Sequence, residues 1–286
     1  MQKFTKPAAV LVPFGEFEGG SAADALAATT DLCIAAHQDD IEIMAFGPIA
    51  ACFDDAGRRF SGVVVSDGAG SPRSGPYAGC TDEQMKKLRA AEQLNAARIG
   101  RYAAQALLGF TSAEIKDKTN AAVADDLEKL LLTAAPKNVY THNLADKHDT
   151  HVAVALRVIG ALRRLPPKKR PEKVYGMEVW RGLDWLLDSD KVLFNTAAHP
   201  NLAAALLGVH DSQITGGKRY DAAALGRRLA NATFFESHAT DKAESLSFAM
   251  DITPLMEAPG LSPAEFAAGC IESFKNDVAA RLNKLF

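Results

Sequence analysis

Short, almost uninterrupted apolar runs constrain the fold of this chain more than any other feature of its sequence. Segments with helical periodicity separate the four clearest runs, LCIAA (32–36), GVVVS (62–66), NVYTH (138–142) and KVYGMEVW (173–180). Apolar runs without polar alternation are typical of parallel strands that are covered on both faces. The sequence therefore predicts an α/β protein with a Rossmann-like, doubly wound, mainly parallel sheet and helices on both faces.

Helical signatures lie between these runs. In the segment 81–101, Thr81 and Gln84 have the spacing of a capping box, and apolar residues then recur near the helical period. The segments 120–134 and 151–165 are further helix candidates, and prolines end them both. Ligands of such alternating folds bind outside the carboxyl ends of the strands. Polar side chains at those positions are therefore candidates for function.

Length and charge limit the classes of partner. The chain has 286 residues, with 32 Lys and Arg against 35 Asp and Glu, so its formal net charge is −3. Without a basic excess, no nucleic acid is expected as a partner. No stretch approaches about 18 uninterrupted apolar residues, so no membrane span is expected. Four cysteines without a CxxC pair, and an N-terminal segment interrupted by prolines, indicate a cytoplasmic protein.

The first polar cluster, HQDD (37–40), directly follows the run 32–36. Two adjacent carboxylates at a strand end repel each other unless a cation lies there. Imidazole with carboxylate is a good ligand set for a divalent metal such as zinc. The alternative is a helix N-cap, in which Asp39 or Asp40 caps the helix that follows. An N-cap requires one Asp and no His, and this segment alone leaves both interpretations open.

The second polar cluster, THNLADKHDTH (141–151), follows the run 138–142 and contains three of the seven histidines. His148 and His151 are three residues apart at the start of an apolar helical segment, so they share one helix face. Neutral imidazoles are common metal ligands, although a chance run of surface histidines is the alternative. Both clusters lie at the same sheet edge. Two His and one Asp leave one coordination position for water, which is the catalytic rather than the structural zinc pattern.

These two clusters resemble the signatures of the LmbE/PIG-L family of zinc-dependent de-N-acetylases. AAHQDDIEIM (35–44) is similar to A-H-P-D-D-x-E, and DKHDTHVAV (146–154) is similar to H-P-D-H-x-A. Three further segments match family elements in the same order, namely VVVSDGAG (63–70), LRAAEQLNAARIG (88–100) and LLGVHDSQ (206–213). We therefore expect one domain over 1–286, with a core at about 30–240, an N-terminal extension 1–30 and a C-terminal helical segment 241–286.

The resemblance also implies a role for the residues of both clusters. His37, Asp40 and His151 match the metal ligands, so Zn²⁺ is the expected cofactor, and another divalent ion such as Fe²⁺ fits the same donors. Asp39 matches the general base that takes a proton from the metal-bound water. His148 matches the cationic group that stabilises the oxyanion.

Three further residues are candidates for substrate binding. Arg89 matches a family arginine near the sugar, and the alternative is an ion pair with Glu92 three residues later. His210 matches a family position near the site, and the alternative is a surface histidine. Lys147 precedes His148 and raises the local positive potential, and the alternative is a solvated loop lysine.

The second cluster departs from the family pattern. HDTH replaces HPDH, so the acid after the first histidine moves to Asp149 and Thr150 takes its former position. In the family, that acid helps to hold and charge the neighbouring histidine. Here either Asp149 or Asp146 takes its place. In the first cluster, Gln38 replaces the usual proline, which changes the loop rather than the ligands.

The function implied by this resemblance is hydrolysis of an amide, with removal of an N-acetyl group from a small amino-sugar substrate. One alternative is a member of the same fold that binds metal or sugar but has no catalytic activity. A second is a non-haem Fe(II) enzyme, which also uses two histidines and one carboxylate but usually stands on an all-β barrel. Homo-oligomerisation is left open by the sequence.

Overall fold

One eight-stranded sheet lies at the centre of the computed structural model, which describes residues 3–286. In chain order, the strands are β1 (Val10–Pro13), β2 (Asp31–Ala35), β3 (Phe60–Ser66), β4 (Ala104–Phe110), β5 (Asn138–His142), β6 (Lys173–Met177), β7 (Lys191–Asn195) and β8 (Leu246–Asp251). Their order across the sheet is β1-β4-β3-β2-β5-β6-β8-β7. The four predicted runs are β2, β3, β5 and β6, and the predicted α/β fold with a mainly parallel sheet is confirmed.

The five central strands run parallel and change winding direction between β2 and β5. From β2 the chain adds β3 and then β4 on one side, and later β5 and then β6 on the other. This reversal leaves a crevice at the carboxyl ends of the two flanking strands, where doubly wound proteins bind their ligands. Both polar clusters follow these two strands.

Helices lie between the strands. They are α1 (Ala22–Ala27), α2 (Asp40–Met44), α3 (Phe46–Asp54), α4 (Asp82–Ile99), α5 (Ser112–Lys116), α6 (Ala122–Ala134), α7 (Asp149–Arg164), α8 (Pro200–Gly208), α9 (Asp211–Ile214), α10 (Tyr220–Thr233), α11 (Thr253–Glu257) and α12 (Pro263–Leu285). The capping box predicted for α4 is confirmed, because the Thr81 side chain accepts from Gln84 N and the Gln84 side chain accepts from Thr81 N. Among residues 3–286, no helix has both the length and the hydropathy that a membrane span requires.

Alternate residues of β2 separate two apolar cores. Leu32 and Ile34 face a core that includes side chains of α6 and α7, whereas Cys33 and Ala35 face a core that includes side chains of α2, α3 and α4. All four residues are fully buried. Burial on both faces explains why this strand shows no polar alternation.

The expected N-terminal extension and C-terminal helical segment each contain a strand of the sheet. β1 pairs antiparallel with β4 at one edge, and β8 lies between β6 and β7 in antiparallel pairs. The segment 241–286 is therefore helical only after β8. β1 has only four residues, and β8 follows a long helical region, so neither showed a strand–helix–strand pattern in the sequence.

Candidate functional site

The two polar clusters meet at the crevice between β2 and β5. Although 114 residues separate them along the chain, Nδ1 of His37 lies 3.1 Å from Nε2 of His151. Oδ2 of Asp40, the first residue of α2, lies 3.1 Å from the same His37 nitrogen and 3.3 Å from the same His151 nitrogen. The three side chains predicted to bind metal are therefore brought together.

Three donor atoms at this separation fit one divalent cation. Donors about 2.1 Å from a tetrahedral zinc ion lie about 3.4 Å from one another. Without a cation, the facing lone pairs of two imidazoles and a carboxylate repel unless protons intervene. Burial alone would raise the pKa of Asp40, but the facing His151 and the hydrogen bond from His37 hold that pKa well below its usual range. The cluster can therefore hold a metal with the carboxylate ionised.

A third imidazole, that of His142, lies beside this cluster without a free lone pair for the metal. Its Nε2 is 3.6 Å from Oδ2 of Asp40, and its ring stacks on His151 with the centroids 4.0 Å apart. However, Nε2 accepts a hydrogen bond from the backbone N–H of Ala36 at 2.8 Å. A nitrogen that accepts this bond cannot also bind a metal, so the geometry favours His37 over His142 as the third donor.

Asp146, and not Asp149, replaces the displaced acid of the second cluster. Asp146 is buried, and its Oδ1 lies 3.5 Å from Nδ1 of His151, at the long limit of a hydrogen bond. The same carboxylate accepts from the backbone N–H groups of His148 at 2.9 Å and Trp180 at 3.0 Å. Asp149 is exposed in the first turn of α7. A carboxylate on Nδ1–H fixes the tautomer that presents Nε2 to the metal.

Asp39 is held in a strained backbone conformation beside the metal ligands. Its φ is +86°, a region that L-residues rarely adopt and that often marks functional sites. Its backbone N–H donates to Oε1 of Gln93 at 3.2 Å, and its Oδ1 lies 3.5 Å from Arg89. Burial raises the pKa of Asp39 to about 7, although Arg89 opposes this shift. Asp39 is the N-terminal neighbour of α2 but makes no side-chain cap, so the N-cap interpretation is wrong for it.

A buried hydrogen-bond network next to Asp39 contains His210, which the resemblance predicts to bind substrate. Glu42 accepts hydrogen bonds from Gln93 at 2.9 Å and Tyr102 at 2.8 Å, and its second oxygen lies 3.1 Å from Nε2 of His210. His210 does not line the cavity above, as a substrate-binding residue would. It is also buried, so the alternative of a surface histidine is wrong. Burial alone lowers the pKa of His210, but the hydrogen bond with Glu42 and the negative charges of nearby carboxylates together raise it.

Arg89 reaches the cavity as the sequence predicted. Its guanidinium donates to the carbonyl of Gln38 at 2.5 Å and to the hydroxyl of Ser71, and it lies beside Asp39. The alternative ion pair with Glu92 is not formed, because Glu92 binds the backbone N–H and hydroxyl of Ser212. Arg89 therefore connects the strained loop of the first cluster to the cavity wall.

His148 lies at the cavity side of the cluster. Its ring stacks on that of His151 with the centroids 4.6 Å apart and lies 5.8 Å from the ring of Trp180. Burial, followed by the charge of His151, lowers the pKa of His148. The predicted cationic form is therefore disfavoured near pH 7 in this structure, but a neutral imidazole still donates one N–H hydrogen bond.

Above these residues lies a cavity of about 440 Å³, a volume typical of small-molecule sites. The candidate metal ligands His37 and Asp40 line it together with the catalytic candidates Asp39 and His148. Lys147, the other candidate for substrate binding, is exposed and does not line this cavity. Lys116 and Lys218 line the cavity instead, and neither forms an ion pair within residues 3–286.

Several residues of the site carried no assignment in the sequence. Glu42 was detectable, because it is the last residue of the first family signature. Trp180, Lys218 and Tyr220 also line the cavity, and we call the part of its wall that they form the far wall. These residues come from a region without a recognised motif. His142 was visible as a histidine of the second cluster, yet only the contact with Ala36 shows how it is used.

Comparisons with known proteins agree with this arrangement. Residues 32–162 match the family model described as PIG-L, GlcNAc-PI de-N-acetylase. Among solved structures, 4-carboxy-2-hydroxymuconate hydratase from Pseudomonas putida has a TM-score of 0.59 and 17% identity, covering 78% of this chain and 96% of its own. N,N'-diacetylchitobiose deacetylase from Pyrococcus horikoshii has a TM-score of 0.59 and 16% identity, and the match covers 76% of this chain and 82% of the deacetylase. A conserved protein from Thermus thermophilus has a TM-score of 0.58 and 18% identity, and the match covers 82% of this chain and 99% of that protein.

These structural similarities establish the fold, since every identity is below 25%. A search of the curated proteins gives no significant match. The match over residues 32–162 contains both polar clusters and Arg89, whereas the far wall of the cavity lies outside it.

Proposed function

We propose that this chain, which belongs to the PIG-L family over residues 32–162, is a hydrolase that removes an N-acetyl group from an N-acetylated amino-sugar compound and uses zinc. The observation that carries the proposal is the convergence of His37, Asp40 and His151 within 3.3 Å of one another, next to a cavity that Asp39 also lines. A divalent ion held there supplies Lewis-acid activation of a water molecule, whose pKa falls from about 15.7 to about 7.

Asp39 has the properties of a general base for this reaction. It lines the cavity next to the ligand Asp40, and burial brings its pKa to about 7. A carboxylate with a pKa near the working pH accepts and returns a proton efficiently. Oδ2 of Asp39 is buried and has no hydrogen-bond partner within residues 3–286, so this oxygen retains its capacity to take up a proton.

The remaining steps require an oxyanion donor and a proton for the leaving amine. Water adds to the acetamide carbon, negative charge develops on the carbonyl oxygen, and the C–N bond then breaks to give acetate and a free amine. His148 borders the cavity beside His37 and can donate its N–H to that oxygen. Loss of one such donor commonly costs about 10²–10³ in rate. The proton taken up by Asp39 is available to the amine.

A second candidate reaction is hydration of an anionic unsaturated acid. The structurally similar hydratase carries this chemistry in its name. Lys116 and Lys218 line the cavity without ion pairs in the described part of the chain, which favours a substrate that bears a carboxylate or phosphate. The same base and metal ligands can add water to a polarised double bond.

Two assays test the two candidate reactions. Acetate release from a panel of N-acetylated sugars measures deacetylation, and the loss of absorbance of unsaturated dicarboxylates measures hydration. We expect acetate release that a chelator abolishes and added zinc restores. The variant Asp39→Asn should keep its metal content and lose about 10²–10⁴ in turnover. As a matched control, Asp149→Asn changes the exposed acid of the second cluster and should retain turnover. Metal binding without turnover of any substrate would contradict the proposal and favour a non-catalytic protein.

A further inference from the structure

A second cavity of about 160 Å³ adjoins the catalytic cavity, and we propose that it binds an apolar group of the substrate. We call this cavity the annex. This proposal rests on the proposed function, because it assigns to the amino-sugar substrate an alkyl or aryl substituent beyond the sugar and the acetyl group. The annex lies outside the segment 32–162 except for Ile43.

The annex shares three wall residues with the catalytic cavity. Ile43, Trp180 and Tyr220 line both cavities. Ile43 lies three residues after the metal ligand Asp40 on α2, so the annex begins close to the reacting atoms. The rings of Trp180 and Tyr220 are edge-to-face, with their centroids 6.2 Å apart. The two cavities are therefore direct neighbours, and the proposal requires a substrate seated at the metal to extend into the annex past these two rings.

The remaining walls of the annex are mainly small and apolar. Val179 and Ala224 are buried, and Ala223 lies at the exposed rim. One charged side chain, Arg227, also lines the annex, but its guanidinium donates to the carbonyl of Val179 and is thus tied to the wall. An apolar cavity of about 150 Å³ is large enough to bind benzene. The annex therefore suits a group of about six carbons better than a second sugar, whose hydroxyls would have few partners there.

Two parts of a substrate can supply this apolar group. One is the aglycone of an N-acetylated glycoside, and the other is the carbon chain of a longer N-acyl group. Both have the same chemistry in the annex, so the test must separate them. Three compounds do so: the methyl and hexyl glycosides of N-acetylglucosamine, and the methyl glycoside of N-hexanoylglucosamine.

Hydrolysis of the three compounds should show a preference for the apolar group. Each buried methylene contributes about fourfold, so we expect kcat/KM to rise at least about 50-fold for one hexyl or hexanoyl compound over the methyl N-acetyl compound. A rise for the hexyl glycoside assigns the annex to the aglycone, and a rise for the hexanoyl compound assigns it to the acyl chain. Equal kcat/KM values for all three compounds would overturn the proposal.

Filling the annex provides the matched test. Ala223→Trp places a large ring at its rim, whereas Ala222→Trp adds the same ring at an exposed position of α10 that does not line it. The preference should fall to near unity in the first variant and persist in the second. Persistence in both variants would contradict the assignment of the annex.

Binding measurements separate failure of this proposal from failure of the proposed function. Calorimetric dissociation constants of the same three compounds do not depend on turnover. If no acyl group is released but the apolar compound still binds more tightly, and Ala223→Trp removes that difference, the annex is an apolar subsite and the hydrolysis proposal fails. If turnover occurs without any difference in binding or kcat/KM, the annex proposal fails alone.

Discussion

The two walls of the catalytic cavity differ in how firmly the chain holds them. On the metal side, Asp40, Asp146 and His142 are buried, and each contacts a side chain of the two polar clusters or the backbone. On the far side, Lys218 is exposed and contacts Trp180 only through its ring, with Nζ 5.1 Å from the centroid. The difference supports the proposal that the first wall performs the chemistry, and we expect the second wall to select the substrate.

Loss of a metal ligand should have the largest effect. In His151→Ala, only two of the three converging donors remain, so we expect loss of stoichiometric metal and a fall in turnover of at least about 10³-fold, because water activation is lost. Elemental analysis of the purified protein and acetate release measure the two effects. His199→Ala is the control, since His199 contacts Asp54 on the surface. Full metal content in His151→Ala would place the ion elsewhere.

Loss of the carboxylate behind His151 should have a smaller effect. Asp146→Asn removes the charge that faces Nδ1 of His151, and changes of this kind lower metal affinity by about 10–100-fold. Competition with a chelator measures the affinity. Asp149→Asn, three residues away, should leave affinity unchanged because Asp149 is exposed. The opposite order of effects would return the role to Asp149.

Single changes on the far wall should have the smallest effect. Lys218→Ala removes a solvent-exposed charge, so KM for an anionic substrate should rise about two- to fivefold while kcat stays the same, and added salt should reduce the difference. Lys147→Ala removes an equally exposed charge that does not line the cavity and should change neither constant. Equal effects of both substitutions would show that only net charge matters.

Sequence patterns predicted the parts of this molecule that depend on neighbouring residues. The apolar runs located four central strands, and the residues that follow β2 and β5 converge because parallel strands place their carboxyl ends at one edge. The spacing of Thr81 and Gln84 predicted the start of α4 for the same local reason. Such features need no knowledge of distant contacts.

Features that depend on distant packing were not predictable in this way. β8 enters the sheet between β6 and β7, although nothing in its own six residues identifies those partners. His210 is buried against Glu42, 168 residues away along the chain, and therefore does not line the cavity. The far wall comes from loops and helices whose position depends on the packing of the whole chain. For this reason the sequence did not show that Lys218, rather than Lys147, lines the cavity.

A crystal structure of the metal-loaded protein, with the ion located by anomalous scattering, tests the central claim most directly. The account predicts one ion whose protein ligands are Nδ1 of His37, Oδ2 of Asp40 and Nε2 of His151. An ion bound through His142 in place of His37, or an ion remote from all three residues, would contradict it.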